Sequence, residues 1–242
     1  MRLIKLDAID STNDFLKRLS GSENVENFTV VTAENQTRGK GQMGNVWNSE
    51  TGKNLIMSVL VKNFVSDAGS IFNLNIAFSV AVIESLKSVS IPQLSIKWPN
   101  DILSGNKKIG GILIESIFKS DAQIQSILGL GLNVNQTNFE NLPKASSLAL
   151  VCKVDFDKML LLDLIAKNLQ NKIENWTNSS DFYRLEYERC LFKIGVAMAF
   201  QSPDGTPFMG IIMGVSPDGK LLVQLENNGI SDFGIKEIQL LY

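Results

Sequence analysis

The most informative absence from this chain of 242 residues is histidine, which does not occur at all. Without histidine the protein cannot build a Ser-His-Asp or Cys-His catalytic group, and it lacks the commonest protein metal ligand. Any chemistry must therefore use lysine, arginine, carboxylates, backbone amides and at most a hard cation that prefers oxygen ligands.

Cysteine and long apolar segments are also scarce. Only two cysteines occur, Cys152 and Cys190, and no stretch approaches the roughly 20 apolar residues that cross a bilayer. Charges interrupt residues 1–14 too early for a secretory signal. We therefore expect two free thiols in a protein of the reducing cytoplasm.

A surplus of positive charge is missing as well. The net charge is −2, whereas nucleic-acid-binding proteins usually carry a basic patch or stripe, so we expect neither a nucleic-acid nor a membrane partner. Basic residues do cluster locally, at Arg38, Lys40, Lys97, Lys107 and Lys108. This clustering directs attention to a site rather than to a whole surface.

Apolar periodicity predicts mixed α and β structure before residue 190. Strands are predicted at about 2–6, 28–34, 54–61, 94–98, 109–117 and 123–133, and helices from Ser11, over 69–88 and over 155–176, with Asp155 as N-cap. The tail has short apolar runs separated by SPDG, SPDG and NNG, which are hairpin signals. We predict an α+β domain over 1–190 and a small SH3-like β-barrel over 191–242.

The segment TRGKGQMGNVW, residues 37–47, combines three glycines with Arg38 and Lys40. Glycines let the backbone approach an anion closely, and the two cations add positive charge. The segment matches neither a Walker loop nor a dinucleotide fingerprint. An anion-binding loop and a flexible surface loop both remain open at this stage.

The segment KWPND, residues 97–101, is followed by a second basic motif, KKIGG. Pro99 ends the strand and presents Asn100, which can read a base or ribose edge, and Asp101, which can hold Mg²⁺ through oxygen. If the chain returns as a hairpin, Lys108 lies close to Asp101 and can neutralise a phosphate or a developing anhydride. The alternatives are an Asx-type turn and two solvated lysines at a hairpin end.

Two further motifs have both a binding and a structural interpretation. The alternating glycines of GLGLNVN, residues 129–135, leave one strand face flat, either as a ligand wall or for close strand–helix packing. The triplet Ser11-Thr12-Asn13 resembles a helix cap, and the same polar groups can bind a small polar ring.

The order of these motifs resembles the biotin–protein ligase (holocarboxylase synthetase) family. Ser-Thr-Asn, Gln36 before a basic glycine-rich loop ending in Trp47, KWPND, KIGGILIE and GLGLNVN follow one another over about residues 7–135. The resemblance implies a catalytic domain similar to class II aminoacyl-tRNA synthetases and lipoate ligases, followed by an SH3-like domain. Because Ser11 lies close to Met1, we expect a form without the N-terminal DNA-binding domain that some members carry.

The resemblance also implies an activity and its partners. Biotin would be activated by ATP to biotinyl-5'-AMP and transferred to a lysine of a biotin carboxyl carrier protein domain, by a monomer or homodimer. ATP and Mg²⁺ would be co-substrate and activator, with no tightly bound metal. A lipoate or octanoate–protein ligase of related fold and a non-catalytic biotin-binding module are the competing hypotheses.

Residue roles follow from the same resemblance. Biotin would contact Ser11, Thr12, Asn13, Gln36, Gly39, Lys40, Trp47, Lys108, Gly111, Gly129 and Gly131. The adenylate would contact Arg38, Gln42, Asn100, Asp101 and Asn133, with Asp101 as the Mg²⁺ ligand. Catalysis would depend on Lys108, Asp101 and Lys40.

One position departs from the family pattern. Better-known relatives carry an arginine where this chain has Gln42, and glutamine donates only neutral hydrogen bonds, roughly half as strong as charge-assisted ones. We therefore expect weaker retention of the adenylate, partly compensated by Arg38 or Lys40.

Overall fold

The computed structural model of the chain describes residues 1–118, 124–140 and 142–242. The strands are β1 Leu3–Ile9, β2 Val30–Gln36, β3 Leu55–Lys62, β4 Leu94–Lys97, β5 Asp101–Ser104, β6 Lys107–Phe118, β7 Ile124–Leu132, β8 Ala197–Gln201, β9 Pro207–Val215, β10 Leu221–Leu225, β11 Ile230–Phe233 and β12 Gln239–Leu241. The helices are α1 Thr12–Ser22, α2 Ile71–Ser88, α3 Leu148–Cys152, α4 Lys158–Glu174 and α5 Trp176–Arg189.

The first sheet has seven strands in the order β1-β2-β3-β7-β6-β5-β4. β1 pairs parallel with β2, and the other neighbours pair antiparallel. Helix α1 packs on β3 and β7, while α2 and α4 pack on the sheet with the main core. Because both faces of its centre are covered, β3 is apolar along nearly its whole length and its first seven residues are buried.

Helix α2 is the central helix of the main core. It packs against α4 and α5 as well as against the sheet, and side chains around most of its circumference are buried. By length and composition alone it would suit a membrane span, but 61% of it is buried inside the fold. A helix that is apolar on all sides and buried in this way is typical of a protein core.

The structure confirms most predicted elements and corrects two. Helix α1 begins after Ser11, whose side chain accepts a hydrogen bond from the Asp14 amide. Asp155 is not the cap of α4. That helix begins at Lys158, and Asp157 caps it because its carboxylate reaches the free first-turn amides.

The second correction concerns the end of the predicted long helix. Helix α4 ends at Glu174, and after Asn175 a further helix, α5, continues to Arg189. Neither α5 nor the short helix α3 was predicted. The first residue of the strand predicted at 123–133 lies outside the described residues.

The second sheet has five antiparallel strands in the order β11-β10-β9-β8-β12. The predicted turns are present: Gly205 and Gly219 adopt φ of 89° and 90°, and Asn228 adopts 63°. β11 and β12 form the two edges, and within the described ranges no pairing between them closes a barrel. The helices and the two sheets together confirm the α+β class. The division into domains at 1–190 and 191–242 stays a prediction.

Candidate active site

A cavity of about 250 Å³ opens beside the start of α1. Its walls come from α1, the glycine-rich loop and the glycine-bearing parts of β6 and β7. The predicted site residues on these walls are Ser11, Thr12, Asn13, Gln36, Lys40, Gln42, Trp47, Asn100, Asp101, Lys108, Gly111, Gly129 and Gly131. Arg38, Gly39 and Asn133 are predicted site residues that do not line it.

The polar end of the cavity is built on the first turn of α1. The backbone N–H of Thr12 donates to Gln36 Oε1 at 2.8 Å, and the Thr12 hydroxyl oxygen lies 3.1 Å from the same atom. The amide oxygen of Gln36 is thus directed at the helix. Its Nε2 group has no hydrogen-bond partner among the described residues and is free to donate to a bound molecule.

Two residues that the sequence analysis did not select support this polar end from behind. Ser58 Oγ lies 2.8 Å from Thr12 Oγ1 and 2.6 Å from Asn13 Oδ1, and Asn13 Nδ2 donates to Glu115 Oε2 at 2.9 Å. Ser58 is fully buried in β3. The available signal was one serine in an otherwise apolar strand, and the carboxylate that ends KIGGILIE.

The glycines of β7 make room for side chains rather than leaving an empty wall. A Cβ on Gly129 would lie 2.5 Å from Asn13 Oδ1, and one on Gly131 would lie 2.4 Å from Trp47 Cε2. Close strand–helix packing therefore explains Gly129, while the Trp47 indole covers Gly131. The indole Nε1 is buried and has no hydrogen-bond partner in the described part of the chain, which is uncommon for a buried donor.

The other end of the cavity is cationic. β5 and β6 form the predicted hairpin, and Lys108 Nζ lies 2.6 Å from Asp101 Oδ1. The same ammonium group is 5.7 Å from the centroid of the Trp47 ring. Lys97 stands nearby on β4, where burial lowers its pKa. A carboxylate or phosphate that enters here meets a lysine with an acidic partner.

The cations of the glycine-rich loop contact carboxylates near the start of α1. Lys40 Nζ lies 2.7 Å from Asp14 Oδ1, and this hydrogen bond raises the pKa of Lys40. Arg38 points into solvent, with its guanidinium 3.5 Å from Asp10. The backbone N–H of Trp47 donates to the carbonyl of Gly39 at 3.0 Å. The loop is thus an ordered hairpin attached to α1.

The two asparagines predicted on the nucleotide side differ in their surroundings. Asn100 Nδ2 donates to the Ile112 carbonyl at 2.6 Å, which leaves its amide oxygen available at the cavity wall. Asn133 is buried, and its Nδ2 donates to the Ser146 carbonyl at 3.0 Å. Its side chain therefore holds the chain before α3 in place.

A second cavity of about 470 Å³ adjoins the first. Both are lined by Gln42, Asn100, Ile112 and Ile235. Its outer wall comes from the second sheet, where Gly219 accepts a hydrogen bond from Trp98 Nε1 at 2.9 Å. This wall could not be predicted from the motifs, because it comes from chain segments far from KWPND.

Comparison with known proteins identifies the family. The model of the Biotin/lipoate A/B protein ligase family matches residues 6–133. The chain belongs to this family. The bifunctional ligase/repressor BirA of Bacillus subtilis is 30% identical over 243 residues, covering 98% of this chain and 74% of the relative. The biotin–[acetyl-CoA-carboxylase] ligase of Mycobacterium tuberculosis is 29% identical, covering 89% and 80%.

Solved structures of biotin protein ligases extend the similarity to the whole fold. The enzyme from Aquifex aeolicus in complex with biotin and ATP has a TM-score of 0.80 and 26% sequence identity, covering 99% of this chain and 98% of that one. A mutant of the same enzyme in complex with biotin gives 0.81 and 26%, covering 100% and 98%. The match covers nearly the whole chain, so the similarity to this enzyme includes the second sheet.

Proposed function

We propose that this biotin/lipoate ligase family member activates biotin with ATP to biotinyl-5'-AMP and then biotinylates a lysine of a biotin carboxyl carrier protein domain. The observation that carries the proposal is the pair of adjoining cavities, one with a polar end and a cationic end, the other sharing the wall at Gln42 and Asn100. Two substrates bound side by side in them would meet beside Lys108. Relatives named as biotin ligases, and a neighbour bound to biotin and ATP, support biotin over lipoate.

We assign the ureido ring of biotin to the polar end of the first cavity. That ring presents one carbonyl oxygen and two N–H donors, and Gln36 Nε2, Ser11 Oγ and Thr12 Oγ1 supply a complementary set of small polar groups. The carboxylate chain would then extend past Trp47 and Gly111 toward Lys108.

We assign the nucleotide to the second cavity. Phe72 and Trp98 give it aromatic surface for a base. Asn100 lines both cavities, and the next residue, Asp101, lines the first. Among the described residues no cluster of three or more acidic, cysteine or histidine side chains can hold a metal. The carboxylate of Asp101 and the amide oxygen of Asn100 instead fit a Mg²⁺ ion that arrives on ATP and offsets phosphate charge.

The reaction consists of two nucleophilic displacement steps, and neither step uses a side chain of the protein as the nucleophile. A biotin carboxylate oxygen attacks the α-phosphorus of ATP, and pyrophosphate leaves. Both reactants are anionic, so Lys108 would exchange Asp101 for the reacting groups and offset their repulsion. The acceptor ε-amine then attacks the acyl carbon, loses a proton and displaces AMP. Positioning by the two cavities supplies much of the acceleration.

The decisive experiment incubates the protein with ATP, Mg²⁺, biotin and a purified carrier domain, followed by mass measurement of the carrier. We expect the mass of one biotinyl group to be added, and none without ATP. A parallel reaction with lipoate should leave the carrier unmodified. Modification by lipoate but not by biotin would contradict the assignment.

A further inference from the structure

A continuous chain of hydrogen bonds runs from a carboxylate behind the candidate site to the hydroxyl at its polar end. It comprises Glu115 Oε2, the Asn13 amide, Ser58 Oγ and Thr12 Oγ1, with successive separations of 2.9, 2.6 and 2.8 Å. Asn13 and Ser58 are buried, and Thr12 is 3% exposed. Because these groups are shielded from water, each of their N–H and O–H protons has to be donated to a protein acceptor or to a bound molecule.

The carboxylate fixes the direction of the first bond. An ionised carboxylate only accepts hydrogen bonds, so the Asn13 group facing Glu115 must be the NH₂. The Leu113 carbonyl, 3.5 Å from the same nitrogen, is also an acceptor. The Asn13 amide oxygen is consequently turned toward Ser58.

The amide oxygen in turn fixes the hydroxyl protons. Asn13 Oδ1 carries no proton, so the single proton of Ser58 must lie on the 2.6 Å contact between them. Either hydroxyl can donate where two hydroxyls meet, but Ser58 has no second proton. Thr12 must therefore donate to Ser58 across 2.8 Å.

The consequence appears at the cavity. With its proton directed at Ser58, Thr12 Oγ1 presents only lone pairs to a ligand. Gln36 Oε1 lies 3.1 Å away and can accept a second hydrogen bond, but without the Thr12 proton the 2.8 Å contact between the two hydroxyl oxygens would contain no proton. Gln36 Oε1 accepts the Thr12 backbone N–H at 2.8 Å. That bond leaves Gln36 Nε2 to donate. The polar end of the site thus offers one fixed acceptor beside one fixed donor.

We propose that Glu115 and Ser58 are positioning residues, which orient the Thr12 hydroxyl as an acceptor for a ring N–H of the substrate. The inference rests on the proposed function, because it specifies how the same cavity recognises a cyclic urea. Neither residue contacts the substrate. Their role is to exclude rings that present an acceptor where the cyclic urea presents an N–H.

The first test compares two substitutions of Glu115 in biotin-dependent ATP–pyrophosphate exchange. Glu115→Leu removes the acceptor, and we expect the KM for biotin to rise about tenfold, equivalent to ~1.4 kcal/mol, with kcat and the KM for ATP within about twofold of native. Glu115→Gln keeps a carbonyl oxygen that can accept from Asn13, and should restore a near-native KM. Equal increases in both variants would assign the effect to charge and overturn the proposal.

The second test uses Ser58→Ala, with Ser79→Ala as its matched control. Ser79 is another fully buried serine, and its hydroxyl has no partner among the residues that the structure describes. In Ser58→Ala the Thr12 hydroxyl no longer has Ser58 as its acceptor, so its proton can turn toward the cavity.

The assay uses a cyclic carbamate analogue of biotin, in which oxygen replaces one ring N–H, and both regioisomers are measured. The native enzyme and Ser79→Ala should strongly prefer biotin over the isomer facing Thr12, and Ser58→Ala should reduce that preference about tenfold.

The outcomes separate this inference from the proposed function. Failure of the native protein to catalyse biotin-dependent exchange would refute the proposed function itself. Native exchange with an unchanged preference in Ser58→Ala would refute only the positioning role. If Glu115→Leu does not fold by circular dichroism, the analogue preference of Ser58→Ala decides the question.

Discussion

Gly131 is the position at which a single methyl group tests the packing of the candidate site most directly. A Cβ added there would lie 2.4 Å from Cε2 and 2.8 Å from Nε1 of Trp47. Ordinary contacts between carbon atoms lie at about 3.5–4.0 Å. Gly131→Ala therefore forces the indole to move by roughly 1 Å or more, unless β7 itself shifts.

The expected loss of stability depends on whether the Trp47 indole or strand β7 moves to accommodate the methyl group. Overpacking a rigid core costs about 1–3 kcal/mol. β7 lies between β3 and β6 and is hydrogen-bonded on both sides, whereas Trp47 ends a loop. The indole should therefore move, and the free energy of unfolding should fall by only ~1 kcal/mol. The displaced ring enters a cavity of about 250 Å³, so we expect the KM for biotin to rise about thirtyfold, or ~2 kcal/mol.

A double-mutant cycle measures the contact itself. Gly131→Ala, Trp47→Ala and the double variant are compared by chemical denaturation and by biotin-dependent ATP–pyrophosphate exchange. With the indole removed, the added methyl should cost almost nothing, giving a coupling of ~1 kcal/mol in stability. Gly21→Ala is the control, because a Cβ there meets no described atom within 4 Å, and it should leave the KM for biotin unchanged.

The cycle can contradict this reasoning. If Gly131→Ala destabilises the protein equally with and without the Trp47 ring, the indole does not cover this glycine. The close approach would then have to arise between β7 and its neighbouring strands.

Three other predictions test separate parts of the molecule. Lys108→Ala should abolish adenylation by exchange assay and leave the circular dichroism spectrum and much of the biotin affinity intact; full activity would refute its role at the carboxyl–phosphate junction. Gln42→Arg should slow the release of free biotinyl-adenylate, measured by filtration of the enzyme-bound fraction, and an unchanged rate would contradict the expected weak retention. Asp157→Ala should lower the free energy of unfolding by ~1 kcal/mol and the Tm by about 2–4 °C, because it removes the N-cap of α4. Asp155→Ala should leave the Tm unchanged, and equal Tm shifts in the two variants would contradict the assignment of Asp157 as the cap.

Local patterns predicted the secondary structure well where a single chemical choice was available. The hairpin of β5 and β6 was expected because KKIGG follows KWPND closely in the chain, and it places Lys108 Nζ 2.6 Å from Asp101 Oδ1. At α4 two aspartates were chemically suitable caps two residues apart, so composition could not choose Asp157 over Asp155. The α5 helix was missed because a break at Asn175 is not visible in apolar periodicity.

In residues 191–242 the turns could be predicted from the sequence, but the arrangement of the strands in the sheet could not. The Asp-Gly and Asn-Gly turns were predictable, since each needs a residue that tolerates positive φ. Closure into a barrel was not decided by them. It depends on whether the edge strands β11 and β12 reach each other, and in the described part of the chain they remain opposite edges.

The sequence by itself determined which chemistry is possible. A chain without histidine excludes Ser-His-Asp and Cys-His catalysis, and the order of its motifs resembles a family that activates a carboxylate without a side-chain nucleophile. Only the tertiary structure decided which buried side chains support the site residues through hydrogen bonds. Ser58 reaches Asn13 across 45 positions of sequence, and Asn13 reaches Glu115 across 102. Hydrogen bonds depend on distance and direction in space, so partners brought together by sheet pairing leave no periodic signal along the chain.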